Sequence, residues 1–463
     1  MPRAKSSRVR ASASKAVKPI RVGVVGVRRG AGFARGAAEV GMTLVALCDT
    51  WEEGLQKAGR ELNVATYTDF DQFLAHDLDA VILANYFHEH APLAIKALDA
   101  GKHVMSETAA CFTLAEGVAL VRAVERSGRI YMFAENCAYM AFSQEMRRVY
   151  QSGRIGTFMY GEGEYVHPMD ADFKNLIAPG VNHWRNWLPA TYYCTHSLAP
   201  LMYITDTRPV EASAFIIPYA ADDPVVSRIV ARHDAAAVII LKMDNGAYVK
   251  LLQVYLRGDG LWFRVHGSRG QMENLRHGNG KMVRLRREQY HERRTEPEEQ
   301  IYLPRFPEQH DAAERATHGG GDFFTIYHFA DAIRRGEPPY LDVYRGVAMS
   351  IVGAQAWRSA LAGSVPVEVP DFRKASALRK YENDDWSPAP EHRKRGQPTT
   401  SVRGDVAPTA AGLAYARRVW RKNGYKGERT QSEPEAPARG TPPEHRHGCP
   451  PVATALPGAQ VPE

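Results

Sequence analysis

Residues 20–49 read IRVGVVGVRRGAGFARGAAEVGMTLVALCD. Two short runs rich in β-branched residues, IRVGVVGV and TLVALCD, flank a glycine-rich turn and a stretch of small residues with helical spacing. Strand, turn, helix and strand at this length make a βαβ unit, whose two strands lie parallel in one sheet. The rhythm repeats downstream. AVILAN (80–85), KHVMSE (102–107) and IYMFAEN (130–136) are further apolar runs, and EEGLQKAGREL, APLAIKALDAG and TLAEGVALVRAVERSG are helical stretches between them. Continuous apolar strands suit a sheet covered on both faces. The spacing therefore predicts an α/β fold, a Rossmann-type doubly wound parallel sheet over residues 19–150.

The rhythm changes near residue 155. Strand patterns at 156–167, 210–217, 236–243, 247–256, 262–273 and 281–288 follow one another across turn residues such as DNG and HGNG. This predicts a mostly antiparallel sheet in an α+β domain over 151–375, closed by helices at 322–335 and 342–361. From about residue 390 the composition turns to Pro, Arg, Thr and Gly, which buries no core. Residues 376–463 are thus expected to be a largely disordered extension, interrupted by one helix near 410–422. No internal repeat is visible.

Composition narrows the function. Of the 463 residues, 44% are hydrophobic and 24% charged, as in ordinary globular proteins. No window has the roughly 18 apolar residues of a membrane span. The net charge is +7 for the whole chain, but six Lys and Arg and no acid fall within residues 1–18, leaving the body from residue 19 at +1. The basic character belongs to a solvated tail, so nucleic acid is not the indicated partner, and the tail has no apolar run typical of a secretory signal. The five cysteines have no metal-ligand spacing; reduced thiols in a cytoplasm are expected, with no metal site.

The turn after the first strand is a partial dinucleotide fingerprint. Gly26 takes the first glycine position, while Arg28 and Ala31 occupy the second and third, with Gly30 and Gly32 as displaced neighbours. Arg28 and Arg29 offer contacts for a pyrophosphate. Asp49 ends the second strand, where an acid accepts hydrogen bonds from the adenosine ribose and repels a 2′-phosphate, so NAD is expected rather than NADP. Asn85 and His88, Glu107 and Thr108, and Glu135 and Asn136 end three successive strands at one sheet edge, where open α/β sheets bind ligands. In GEGEYVH (161–167) the strand period puts Tyr165 and His167 on one face. They form either a packed edge or a proton-transfer pair above a pocket.

Together, the first domain, the run AVILANYFHEHAPLAIKALDAGKHVMSE and the sheet domain behind it resemble the Gfo/Idh/MocA oxidoreductases over residues 20–370. Most members carry Glu-Lys-Pro after the AGKHV strand, with the lysine assisting proton movement during sugar oxidation. Here the residues are Glu107, Thr108 and Ala109. The branch that also lacks the lysine is the NAD-dependent glycosidase branch typified by glycoside hydrolase family 109. Its motifs are resembled, in order, by ENCAY (135–139), GEGEYVH, HWR (183–185), YYCTHSLAP (192–200), HGGGD (318–322) and DVY (342–344).

The resemblance implies that Asp49, Asn85, His88, Glu107, Thr108 and Asn136 line NAD. It implies that Tyr165, Arg185, Tyr193 and His196 contact a small-molecule carbohydrate, with His167 beside them, and that Tyr165, His167, Tyr193 and His196 share the proton transfers. Thr195 is placed to cap the helix that His196 opens. Homo-oligomers are common in the family. Cys194 and Ser197 depart from the branch's usual proline and glycine, which bears on which sugar fits. Two other readings stay open: an ordinary NAD-dependent sugar or cyclitol dehydrogenase, and a non-enzymatic nucleotide sensor.

Overall fold

The computed structural model describes residues 18–427 apart from 259, 289 and 291–296. The expectations for residues 1–17 and 428–463, Cys449 included, lie outside the described residues.

The first domain is built as the βαβ reading requires. Strands β1 (Ile20–Val25), β2 (Met42–Cys48), β3 (Ala65–Tyr67), β4 (Ala80–Leu83), β5 (His103–Ser106) and β6 (Tyr131–Phe133) form one parallel sheet in the order β3-β2-β1-β4-β5-β6. Helices α1 (Gly30–Gly36), α2 (Glu52–Leu62), α3 (Phe70–Leu74), α4 (His90–Asp99), α5 (Leu114–Ser127) and α6 (Ala141–Gln151) cover its faces or lead out of it. Central residues such as Val22, Val24, Ile82 and Val104 are fully buried, which is why these strands carry no alternation. The order reverses between β1 and β4, and a crevice opens there beyond the strand ends. Short β3 and α3 have no periodicity long enough to read in the sequence.

The second sheet has nine strands in the order β14-β13-β12-β11-β7-β10-β9-β8-β15. They are β7 (Phe158–Val166), β8 (Pro209–Ile217), β9 (Ala236–Met243), β10 (Tyr248–Val254), β11 (Gly260–Gly267), β12 (Gly270–Asn274), β13 (Val283–Arg287), β14 (Glu299–Tyr302) and β15 (Val367–Glu368). All pairs are antiparallel except β7 with β10, which sets Tyr165 beside Gln253. The single strand expected at 262–273 is a hairpin of β11 and β12. One face of β7 carries Glu162 and Glu164, closed into ion pairs with Lys250, Arg264 and Arg276; the other face turns Tyr165 inward.

Helices α7 (Ala171–Ile177), α8 (Thr195–Thr205), α9 (His310–Arg315), α10 (Gly321–Arg335) and α11 (Val343–Leu361) follow, with α8 packed on β7, α11 reaching both β6 and β8, and α10 against α1; α12 (Ala375–Tyr381) and α13 (Ala410–Lys422) come last, α13 against α7. The extension departs from the compositional expectation. Through residue 427 it is packed onto the body, because scattered anchors compensate for its lack of a core. Trp420 is buried with its indole N–H donating to the Asn175 carbonyl at 3.0 Å, Arg358 forks onto Asp384, and Asp234 accepts from Ser401 Oγ at 2.9 Å and the Val402 N–H at 3.0 Å.

Candidate active site

The approach of α8 to β7 builds the centre of the site, and a glycine permits it. A Cβ on Gly163 would lie 2.0 Å from the Ser197 carbonyl oxygen, so the first turn of α8 packs directly on the strand. This brings His196 onto Tyr165, with ring centroids 4.6 Å apart. Tyr193 lies 5.8 Å from Tyr165 and 5.1 Å from His196, and His167 lies 5.8 Å from Tyr165. Two pairs of groups from different elements, Tyr165 with His167 and Tyr193 with His196, thus share one wall of a cavity of about 270 Å³. Thr195 does not cap α8: the helix begins at Thr195 itself, and no side chain caps it.

Behind His196 stands Glu135, which is fully buried. Its Oε1 lies 2.8 Å from His196 Nδ1 and also accepts the Cys137 N–H at 3.2 Å. A carboxylate on Nδ1 keeps the ring proton there and leaves the Nε2 lone pair for the cavity, the tautomer a general base needs. Burial alone would raise the Glu135 carboxyl, but the charge and hydrogen bond of His196 outweigh it and hold it below its ordinary range. Glu135, expected to line the cofactor, follows the end of β6, which is level with the ends of β4 and β5, and its side chain is engaged by His196 and does not line the cavity. Burial, reinforced by the charges of Arg185 and His196, lowers the His167 pKa and favours its neutral form.

Burial raises the Tyr193 phenol even with the Arg185 guanidinium beside it. Arg185 sits in a single 3-10 turn (Trp184–Asn186), stacks 4.2 Å over the Trp184 ring and donates to the Tyr193 hydroxyl at 3.3 Å. The opposite wall carries Asn85, Glu107, Thr108 and Asn136, at the expected strand ends.

At the nucleotide end, Gly26 adopts φ +92°, and a Cβ there would lie 2.4 Å from the Ala84 carbonyl oxygen. Only glycine makes that turn. Gly30 is buried at the start of α1. Asp49 accepts the Val27 N–H and the Trp51 N–H, both at 2.8 Å, which fixes its carboxylate at the tip of β2. Asn85 Oδ1 is buried without a partner, and such an orphaned acceptor at the crevice fits a bound nucleotide. These residues fit NAD.

Two expected contacts are engaged elsewhere. Arg29 bridges Glu107 at 2.6 Å and Asp322 at 2.7 and 2.8 Å instead of standing free for a pyrophosphate. Asp322 also accepts from Asn136 Nδ2, Thr317 Oγ1 and His318 Nδ1, so HGGGD ties α10 to the cofactor loop. His88 turns to Glu391 of the extension at 3.2 Å. Arg28 is exposed, lying over Trp51 and donating to the Leu176 carbonyl.

Tyr255, His90, Phe87 and Trp184 also line the cavity and went unread. Tyr255 follows β10 and enters only through the parallel pairing of β10 with β7, a contact no local pattern announces. Among the described residues one group of metal-type donors, Glu135, Cys137 and His196, lies together, within the hydrogen-bonded set above. No helix among the described residues is long and apolar enough to cross a membrane.

A Rossmann crevice opening onto a sheet-domain wall of tyrosines and histidines defines a nicotinamide-dependent oxidoreductase. Residues 20–135 match the family model for the oxidoreductase family with the NAD-binding Rossmann fold, and 195–379 match the glycosyl hydrolase 109 C-terminal domain. The first part of the chain is thus similar to the Gfo/Idh/MocA Rossmann domain and the second to the glycosyl hydrolase 109 C-terminal domain. A glycosyl hydrolase family 109 protein of Saccharopolyspora erythraea is 26% identical over 427 residues, covering 80% of this chain and 87% of that one. An alpha-N-acetylgalactosaminidase of Bacteroides fragilis is 23% identical over 378 residues, covering 73% and 87%. The structure of levoglucosan dehydrogenase with NADH and levoglucosan superposes at a TM-score of 0.65 with 17% identity, covering 76% and 100%, and shares the fold.

Proposed function

We propose that the protein cleaves a glycosidic bond by transient oxidation of the sugar at carbon 3. The observation that supports this best is the gathering of Tyr165, His167, Tyr193 and Glu135-backed His196 on one wall, opposite a Thr108 that offers no ammonium. NAD, when bound, supplies a hydride acceptor that can later return the same hydride.

A glycoside has no acidic C–H until a neighbouring carbon becomes a ketone. His196, with its lone pair on Nε2, takes the carbon 3 hydroxyl proton during oxidation, assisted by Tyr193. The carbon 2 hydrogen is then acidic, and Tyr165 with neutral His167 removes it and protonates the leaving group at carbon 1. Water adds to the unsaturated ketone, and the same groups return their protons as carbon 3 is reduced. NAD-dependent glycosidases are exceptions to the two-carboxylate mechanism, and proton transfer near neutrality is work suited to histidine and a perturbed tyrosine. Arg185 orients the sugar against this wall.

The test uses an aryl glycoside deuterated at carbon 2. Cleavage without net NADH, with the label washed out to solvent, is the expected result. Steady NADH release with the label retained would establish a plain dehydrogenase instead.

A further inference from the structure

Residues 380–427 belong to neither matched segment, yet they touch both domains. Glu391 reaches His88, just past β4, at 3.2 Å. Ser401 and Val402 then bond Asp234 of the sheet domain, and α13 packs on α7. There the Trp420 indole donates to the Asn175 carbonyl at 3.0 Å, and the Tyr415 hydroxyl donates to Asp172 at 2.8 Å. Past α13 the chain turns back towards the first domain. The Tyr425 ring packs edge-on to Trp420, with centroids 5.9 Å apart. Its hydroxyl is seated on Gly180, where a Cβ would lie 2.4 Å from it, and Lys426 Nζ stands 4.0 Å from Glu53 at the start of α2.

Both crossings fall at the mouth of the nucleotide crevice. α7 carries Phe173 and Ile177 to the cavity, and its Leu176 carbonyl accepts the Arg28 guanidinium, from the turn after β1, at 3.3 Å. The cofactor turn, α7 and the extension are therefore linked in one line: Arg28 to Leu176, Asn175 to Trp420, and Trp420 to Tyr425. Tyr86, one residue past Asn85, is exposed at the same end, its ring 4.9 Å from that of His183. Burial and then the charges of Tyr425, Glu89 and Asp49 raise its phenol, with Arg28 opposing them. Tyr425, Tyr86, Arg28 and Asp49 thus surround the end of the crevice where the adenosine ribose is expected. The exposed pair of Lys426 and Glu53 adds little by itself. The hold comes from the buried Trp420 and the close seat of Tyr425.

We propose that the extension is part of the cofactor site: residues 391–426 strap the mouth of the Rossmann crevice, NAD binds and leaves only when α13 lifts, and Tyr425 with Tyr86 closes the adenosine end. A brace that merely stiffened the fold would need no partner beside the strand ends that hold the nucleotide. The strap governs cofactor exchange and not the sugar chemistry, since none of its described residues lines the sugar cavity. Exchange gated in this way is set by the opening of the strap rather than by the contacts of the bound nucleotide alone.

The experiment follows NADH on the full-length protein by stopped-flow fluorescence. Mixing gives the association rate, and a chase of the loaded protein with excess NAD gives the release rate. Trp420→Ala, which frees α13, and Tyr425→Ala should each speed release on the order of 10-fold or more, and association should quicken in the same variants because the mouth stands open. Faster release with unchanged association would mean a lost contact without a gate, and the strap would be refuted. Limited proteolysis of the same samples reports whether the extension has come loose. A Trp420→Ala protein that is cut between residues 393 and 427 but releases NADH at the original rate would make the extension a brace and overturn the proposal. Unchanged release in Tyr425→Ala would overturn it as well. No sugar is present, so this outcome is independent of the deuterium experiment that tests the glycosidase reading.

Discussion

At the scale of single residues, the decisive feature is that His196 is oriented from behind and Tyr165 is placed from the side. Tyr165→Phe keeps the ring and its packing, so a merely structural hydroxyl would cost about 1 kcal/mol. If the hydroxyl transfers a proton, kcat should fall by about 10²-fold or more with melting temperature and NAD affinity nearly unchanged. His196→Ala should lose a similar factor. Glu135→Gln is the sharper probe, because Glu135 touches His196 and not the cavity. The amide can accept from Nδ1–H but carries no charge to stabilise an imidazolium, so kcat should drop and KM should hold, which rapid-quench turnover would show. Asp49 decides the cofactor. NAD should bind more tightly than NADP in a fluorescence titration, and Asp49→Ser should narrow the gap by about 1–3 kcal/mol. Tighter NADP binding by the unaltered protein would refute the role given to Asp49.

At the scale of elements, what the sequence made legible follows the range of the interaction. α2, α5, α10, α11 and α13 were readable to within a residue or two, since their apolar spacing and caps are local; Thr113 and Glu116, for example, close a reciprocal cap on α5. Strand ends at the crevice were readable for the same reason. The pairing of β7 with β10 was not, nor was the turn of Glu135 towards His196, because each depends on partners about 60 or more residues away. The extension is the largest such case: its anchors are isolated residues that look like loop composition until the surface they meet is known. Removing residues 1–17 and 428–463 should leave turnover intact. Trp420→Ala should instead free α13, since truncating a buried tryptophan costs about 3–5 kcal/mol. Limited proteolysis should then cut between residues 393 and 427 with little change in the core melt. An uncut segment would mean that Trp420 does not anchor it.

At the scale of the whole molecule, buried histidines tie stability to pH with a definite sign. Burial lowers His90 to about 4, His233 to about 3 and His328 to about 4. In the unfolded chain each titrates near 6.5. Between pH 6.5 and about 4 the unfolded state therefore binds protons that the folded state refuses, so stability is full above 6.5 and falls as the pH drops. The slope reaches about 1.4 kcal/mol per pH unit for each histidine, hence about 4 for the three. Asp234, Asp342 and Glu116 have carboxyls raised by burial and act the other way, softening the lower end of that range. Against a total stability of about 5–15 kcal/mol, the net effect should be a melting temperature that falls steeply from pH 6.5 to pH 5. The groups are spread over both domains, His90 on α4 beside the crevice and His233 before β9, so the loss belongs to the molecule and not to one loop. His233→Gln removes one titration, and its melting curve should depend on pH by about one proton less, measured by calorimetry across pH 7.5–4.5. A melting temperature that stays flat over that range would show that these rings reach solvent, and the packing around His90 and His233 would have to be looser than their burial indicates.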